Sequence, residues 1–218
     1  MAARIARIGA PIALSQVSFC VVYMALARVI TRFGTPAVAA VGIGHKCESV
    51  AYFVSAGFSY AAATMVGQNL GARRPDRAAR AAWVACAYAL GPAALVAVAM
   101  LAAPDALARF FIDDPAVVAV AVRYLRIVAV SEVFLVFEIV LEGAFGGAGD
   151  SFPPLVVGGP LSIARVPAAY LLAVTLGWGI DGIWWAISIS TVLKGALMAM
   201  WYARRHGSFR RRESPPAR

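Results

Sequence analysis

Charge is what this sequence has least of. Of 218 residues only 11 are Asp or Glu and 20 are Lys or Arg, so charged side chains make up 14% of the chain, against about 25% in ordinary soluble domains. That deficit excludes a disordered polypeptide and an ordinary cytosolic enzyme. Cysteine is also scarce. Cys20, Cys47 and Cys86 lie inside apolar stretches without metal-ligand spacing, which excludes a disulfide scaffold and marks them as small core residues. The two histidines, His45 and His206, are too distant in topology to form a site. There is no Ser-His-Asp set and no phosphate loop, so neither enzymatic chemistry nor a metal or cofactor site is expected. What is abundant is apolar: hydrophobic residues are 61% of the chain and mean hydropathy is +0.77. Only a bilayer solvates that much apolar area.

A spanning helix needs about 20 mainly apolar residues at 1.5 Å rise each. Six stretches qualify, giving an all-α membrane protein with spans near 10–30, 36–66, 79–103, 127–145, 154–176 and 180–203, after a short N-terminus (1–9) and before a basic tail (204–218). The breaks between them are rich in Gly, Pro and charge: 32–36, 71–77, 104–105, 147–150 and 177–179. Residues 1–7 run straight into the first span without a small-residue cleavage pattern, so no signal peptide is expected. The stretch before the fourth span, Asp113 to Arg126, sets Arg123 and Arg126 among apolar residues and is expected to lie along the outer interface as an amphipathic preface. In the fifth span Pro160 and Pro167, with Gly158 and Gly159, free backbone carbonyls and bend the helix. Such a bend marks a cavity, a hinge or a packed kink.

Orientation follows from the arginines. With the N-terminus inside, the inner side holds Arg4, Arg7, Arg73, Arg74, Arg77, Arg80, Arg204, Arg205, Arg210, Arg211, Arg212 and Arg218, which is 12 of the 20 Lys and Arg residues. The outer side holds Arg28, Arg32 and Arg109 beside Asp113 and Asp114. This is the positive-inside distribution of a protein in the cytoplasmic membrane with both termini cytoplasmic. The net charge of +9 therefore reports topology rather than nucleic-acid binding. Trp178, Trp184, Trp185 and Trp201 fit interfacial anchors.

Two motifs carry more than topology. One runs through the second span, Glu48-Ser49-Val50-Ala51-Tyr52-Phe53-Val54-Ser55-Ala56-Gly57, and ends in Val66-Gly67-Gln68-Asn69-Leu70-Gly71-Ala72. The other closes the fourth, Glu142-Gly143-Ala144-Phe145-Gly146-Gly147-Ala148-Gly149-Asp150. With Pro11 and the Gly182-Ile183-Trp184-Trp185-Ala186 passage, the chain resembles the MATE family, the multidrug and toxic compound extrusion transporters, and is most similar to their C-terminal six-helix lobe. The resemblance implies two six-helix lobes around a substrate cavity, with export in exchange for H⁺ or Na⁺. It also implicates Glu48 in cation or substrate handling. The first span, Ser15-Gln16-Val17-Ser18-Phe19, departs from one branch of the family in having no carboxylate, which puts a sodium site of that type in doubt.

Physical reasoning assigns roles beside the resemblance. Gly57, Gly67 and Gly71 are expected to admit a neighbouring backbone, and Gln68 and Asn69 to satisfy the last carbonyls of the second span. Gly143 and Gly147 form a Gly-x-x-x-Gly face for close crossing or sliding. Asp150 is placed to cap the next helix. Charges inside apolar spans cost about 2.5–3.5 kcal/mol even on gentle scales, so Glu48, Glu132, Glu138, Glu142, Lys46, Arg165 and Lys194 must face protein or water. Glu138 and Glu142 share a helix face, and Glu138, Arg165 and Lys194 lie at a common depth of about 15–20 Å. Either such a carboxylate exchanges a proton across the membrane, or Glu138 is neutralised by Arg165 or Lys194, leaving Glu142 as the exchange candidate. His45, three residues before Glu48, is its nearest local partner, while Lys46 points away. Tyr23, Met24, Tyr52, Phe53, Phe58, Tyr60 and Met65 are candidates to line a cavity for organic cations.

The expectation is thus a secondary-active antiporter lobe exporting amphipathic or cationic small molecules. Its partners would be membrane lipid and a missing N-terminal lobe or a second copy of itself. A lipid-linked saccharide flippase and a truncated, non-transporting subunit are the alternatives.

Overall fold

A computed structural model describes Val17 and residues 20–211, with side chains through Arg205. The N-terminal arginines, Pro11, the Ser15-Gln16 pair, Ser18, Phe19 and the end of the basic tail lie outside the described residues. The architecture is all-α: α1 (20–30), α2 (Thr35–Gly71), α3 (Pro75–Ala102), a short α4 (Pro104–Arg109), α5 (Pro115–Gly147), α6 (Phe152–Tyr170) and α7 (Ile180–Arg211). By length and apolar composition the described residues supply four of the six expected spans: α2, α3, α6 with its following turn, and α7. The expected first span is described only from Val17 on. The 33-residue α5 is about 50 Å long but carries Arg123, Arg126, Glu132, Glu138 and Glu142. Part of the expected tail is helix, since α7 continues to Arg211.

Local chemistry sets the boundaries. Gly34, at φ +86°, separates a 3₁₀ turn (Thr31–Phe33) from α2, a conformation that glycine adopts without strain. Pro36, Pro75, Pro104, Pro115 and Pro153 sit in first turns, where an absent amide hydrogen costs nothing. Asp114 caps α5 by accepting from the Ala116 amide at 2.8 Å. Asp150 accepts from the Phe152 amide at 3.2 Å, as expected of a cap, and also forms an ion pair with Arg205. At the end of α2, the Asn69 side-chain amide donates to the Met65 carbonyl at 2.7 Å; among the described residues Gln68 makes no such bond. Past Pro167, α6 widens into a π-helical turn (Leu171–Thr175) and stops at Gly177 and Gly179, with φ of +71° and +64°.

The preface expected before α5 does not exist as a separate element. Residues 115–147 form one helix, and Val117, Val118 and Ala121 pack with Ala40, Ile43 and Ala108 in the interior. Burial against α2 and α4 competes with interfacial water for these side chains and wins, because within 115–126 the only charged residues are Arg123 and Arg126.

Helix α5 is the axis of the bundle. At the α2 crossing, a Cβ on Gly143 would stand 2.4 Å from the Ser59 carbonyl oxygen, and one on Gly147 would stand 2.1 Å from that of Ala63. The Gly-x-x-x-Gly face is therefore a backbone contact, tied by the Ser59 hydroxyl donating to the Ile139 carbonyl at 2.8 Å. Gly67 completes it, with a notional Cβ 3.1 Å from the Gly147 oxygen. Gly57 and Gly71 have nothing within 4 Å, so no neighbouring backbone approaches either. On the other side Gly195 of α7 faces the Phe134 carbonyl, its notional Cβ at 2.2 Å.

Helices α5 and α7 run side by side in register, as shown by Arg123–Asp181 (3.4 Å), Ser188 Oγ to the Ile127 carbonyl (3.2 Å) and the Phe145–Tyr202 ring contact (5.2 Å). Two apolar clusters stack along them. One contains Leu26, Met100, Tyr124, Leu125 and Trp184; the other contains Val66, Val140, Phe145, Met198 and Tyr202. Trp184 is fully buried and meets Tyr124 edge-on at 4.7 Å, so it is a core residue and not an interfacial anchor. Trp178 and Trp185 are exposed, and Trp201 is half-buried against Phe152. Cys47 and Cys86 are buried as expected, whereas Cys20 is exposed.

Candidate functional site

Between the two apolar clusters, α5 and α7 carry a belt of buried polar groups: Ser131 and Glu132 on one, Ser188, Ser190, Thr191 and Lys194 on the other, with Arg165 of α6 beside them. The belt borders an open cavity of about 680 Å³ lined by residues of α1, α2, α5, α6 and α7. Helical periodicity explains why charges converge there. Glu138 and Glu142 are one turn apart on α5, His45 and Glu48 nearly so on α2.

All six charged or titratable residues expected to handle ion or substrate line this cavity: His45, Glu48, Glu138, Glu142, Arg165 and Lys194. Their partners differ from the expected ones. Glu48 accepts a short hydrogen bond from the Tyr124 hydroxyl rather than turning to His45, whose ring lies 5.6 Å from that of Tyr23 and 6.5 Å from that of Tyr124. Glu138 forms its ion pair with Lys194, not Arg165. The Arg165 guanidinium instead donates through Nε to Ser190 Oγ at 2.7 Å and through Nη2 to Thr191 Oγ1 at 3.2 Å. Lys46 does point away, its ammonium 5.4 Å from the Phe111 ring.

Two participants were not foreseen as site residues. Glu132 is 1% exposed and its Oε2 has no hydrogen-bond partner; it lines the same cavity. Its presence as an acid in an apolar run was the available signal. Tyr124 left none, because it falls in the segment that looks interfacial. Room for its ring comes from Gly44 of α2, where a Cβ would collide with it at 2.0 Å.

The bent helix contributes directly. Gly158, Gly159 and Pro160 line the cavity; Pro167 does not. Of the proposed aromatic and methionine lining, Tyr23 and Tyr52 are present. Met24, Phe53, Tyr60 and Met65 are exposed on the outside of the bundle, and Phe58 stacks on Tyr88 at 6.3 Å. The cavity thus offers four carboxylates, two basic side chains, one imidazole and tyrosine faces, an arrangement able to hold charged ligands. Among the described residues no three His, Cys, Asp or Glu side chains converge as a metal site.

A helical membrane bundle with a charged cavity at mid-height defines a transporter lobe. The MatE family model matches residues 11–171, and the chain belongs to that family. It is 35% identical over 161 residues to the probable multidrug resistance protein NorM of Pseudomonas aeruginosa, covering 71% of this chain and 33% of that one. With the probable NorM of Thermotoga maritima it shares 25% over 203 residues, 91% of this chain and 43% of the relative. Its fold is similar to that of a MOP superfamily transporter from Pyrococcus furiosus, with TM-score 0.86, 22% identity, and coverage of 99% of this chain and 48% of the other. A solved MATE structure in a straight conformation gives TM-score 0.88 at 20% identity, over 95% and 47% of the two chains. The chain spans between a third and a half of the length of these relatives.

Proposed function

We propose that this chain is one lobe of a secondary-active multidrug exporter of the cytoplasmic membrane, which expels organic cations and related amphipathic compounds in exchange for protons. The observation that carries the reading is the convergence of Glu48, Glu132, Glu138 and Glu142 on one cavity in which, among the described residues, only Glu138 has an ion-pair partner within 4 Å. The remaining carboxylates can hold either protons or a cationic substrate, and that competition is what antiport requires. The names of the relatives favour drug efflux over lipid-linked saccharide flipping. Residues 10–30 of the first span contain no Asp or Glu, so a sodium site of the kind found in one branch of the family lacks its acid, which favours protons as the coupling ion.

A cavity between lobes needs a second wall. In this reading it is supplied by an N-terminal lobe or by a second copy; both termini lying on the basic cytoplasmic side would let two copies insert in the same orientation and associate about an axis along the membrane normal. The test is uptake of a fluorescent cation into proteoliposomes under an imposed pH gradient or an imposed sodium gradient, with the chain alone and with a candidate partner lobe. The expected result is transport driven by the pH gradient in at least one assembly. Transport in neither, with the protein folded and correctly inserted, would refute the function.

A further inference from the structure

Where α2 turns into α3, the end of the bundle is strongly basic. The ends of α2, α5 and α7 and the start of α3 meet there, as the Gly67–Gly147 approach and the Phe145–Tyr202 ring contact show. Arg73 and Arg74 form the turn, Arg77 and Arg80 follow on the first turns of α3, and all four are exposed. Trp83, one turn beyond Arg80, meets the ring of Tyr202 at 5.9 Å. Because α3 and α7 run in opposite directions, that contact brings Arg204 and Arg205 of α7 to the level of Arg80. Against these six arginines the described residues of the rim set two acids, Asp76 and Asp150, and Asp150 is taken by Arg205. The rim therefore keeps a net positive charge. None of these residues lines the cavity described above.

The charge continues into an apolar stripe. Arg77, Arg80, Val84, Tyr88, Leu95 and Val98 fall on one face of α3 by helical spacing, and every one of them is exposed. The other face, with Ala78, Ala82, Ala85, Ala89 and Ala93, is packed in the core. On a spanning helix an exposed apolar stripe faces lipid, so Arg77 and Arg80 stand at headgroup level directly above the path of an acyl chain. From Arg80 to Leu95 the stripe runs about 22 Å, longer than the roughly 15 Å of hydrocarbon in one leaflet. Tyr88 is stacked on Phe58 of α2, with ring centroids 6.3 Å apart and 7° between planes, which gives the stripe an ordered aromatic border. We infer that this rim and stripe bind an anionic phospholipid of the leaflet on the basic side. Arg77 and Arg80, with Arg73 and Arg74 beside them, hold its phosphate, and one acyl chain lies along Val84, Tyr88 and Leu95. The planar guanidinium suits phosphate because it donates two parallel hydrogen bonds, and basic clusters beside spanning helices attract anionic lipid. The apolar continuation selects a lipid over a soluble phosphate, which would leave the stripe unused. The site is independent of the exporter reading.

The experiment titrates the purified chain in detergent with phosphatidylglycerol and with phosphatidylcholine of identical acyl chains, and reads bound lipid by native mass spectrometry. Glycerol phosphate serves as the headgroup without chains. Wild type is expected to bind phosphatidylglycerol about tenfold or more tighter than phosphatidylcholine, and to keep it in an excess of glycerol phosphate. Arg77→Gln combined with Arg80→Gln should erase that preference and leave phosphatidylcholine binding unchanged. Arg28→Gln combined with Arg32→Gln removes the same charge from exposed positions at the opposite end of the bundle, and should leave the preference intact. Wild type binding both lipids alike would overturn the site, a result that holds whether or not any variant folds. Equal losses in the two double variants would also overturn it, assigning the binding to net charge alone. Release of phosphatidylglycerol by an equimolar amount of glycerol phosphate would overturn the lipid assignment and make the rim a site for soluble phosphate.

Discussion

Replacing Gly147 by alanine tests the central crossing of the bundle. The added methyl would stand 2.1 Å from the Ala63 carbonyl oxygen and 2.7 Å from the Ala63 Cα, where ordinary contact begins at 3.4 Å. The obstacle is backbone, so no side chain can rotate away, and α2 and α5 must separate by roughly an ångström, loosening the Ser59 to Ile139 hydrogen bond. Overpacking of this kind costs about 1–3 kcal/mol, here near the upper end, offset by the ~0.5–1 kcal/mol that alanine gains over glycine within a helix. The net loss is ~2 kcal/mol. For a chain of this size each kcal/mol moves Tm by about 2–4 °C, so Gly147→Ala should melt about 4–8 °C below wild type in detergent. Gly57→Ala is the matched control: nothing lies within 4 Å of its notional Cβ, and its Tm should be unchanged or up to about 4 °C higher. Equal melting of the two variants would refute the close crossing.

Two further outcomes follow from buried groups. Lys194→Met leaves Glu138 without its ion-pair partner at a site where the two side chains are 5% and 19% exposed, and should lower stability by ~3–5 kcal/mol; adding Glu138→Met should recover most of that loss, and a double-mutant cycle with no coupling would show that the pair does not form. Cys20 is exposed while Cys47 and Cys86 are buried. Mass spectrometry should therefore find one maleimide adduct on the folded protein and three after denaturation in sodium dodecyl sulfate.

Much of the site could be read before the fold, because a charge in an apolar run is conspicuous. Glu48, Glu138, Glu142, Arg165 and Lys194 stand out by their cost in a membrane, and the four-residue spacing of Gly143 and Gly147 announces a helix contact. Who meets whom was hidden. Glu138, Arg165 and Lys194 share a depth, but the rotation of α6 and α7 about their own axes gives Lys194 to Glu138 and leaves Arg165 with Ser190 and Thr191. Tyr124 was obscured for a related reason: Arg123 and Arg126 make its segment look interfacial, and only the gap left by Gly44, 80 residues earlier in sequence, lets its ring enter the core. Composition likewise pointed to six spans, yet α5 carries too much charge to qualify by hydropathy, because its polar face looks into a cavity instead of lipid.

The claim on which the account turns is that protons and a cationic ligand compete for the same carboxylates. The direct measurement is proton release from the purified, weakly buffered protein on addition of tetramethylrhodamine methyl ester, followed with a soluble pH indicator. The account predicts release in proportion to bound dye, reduced by Glu132→Gln or Glu48→Gln. Saturating binding of the dye by wild type with no proton released would contradict it.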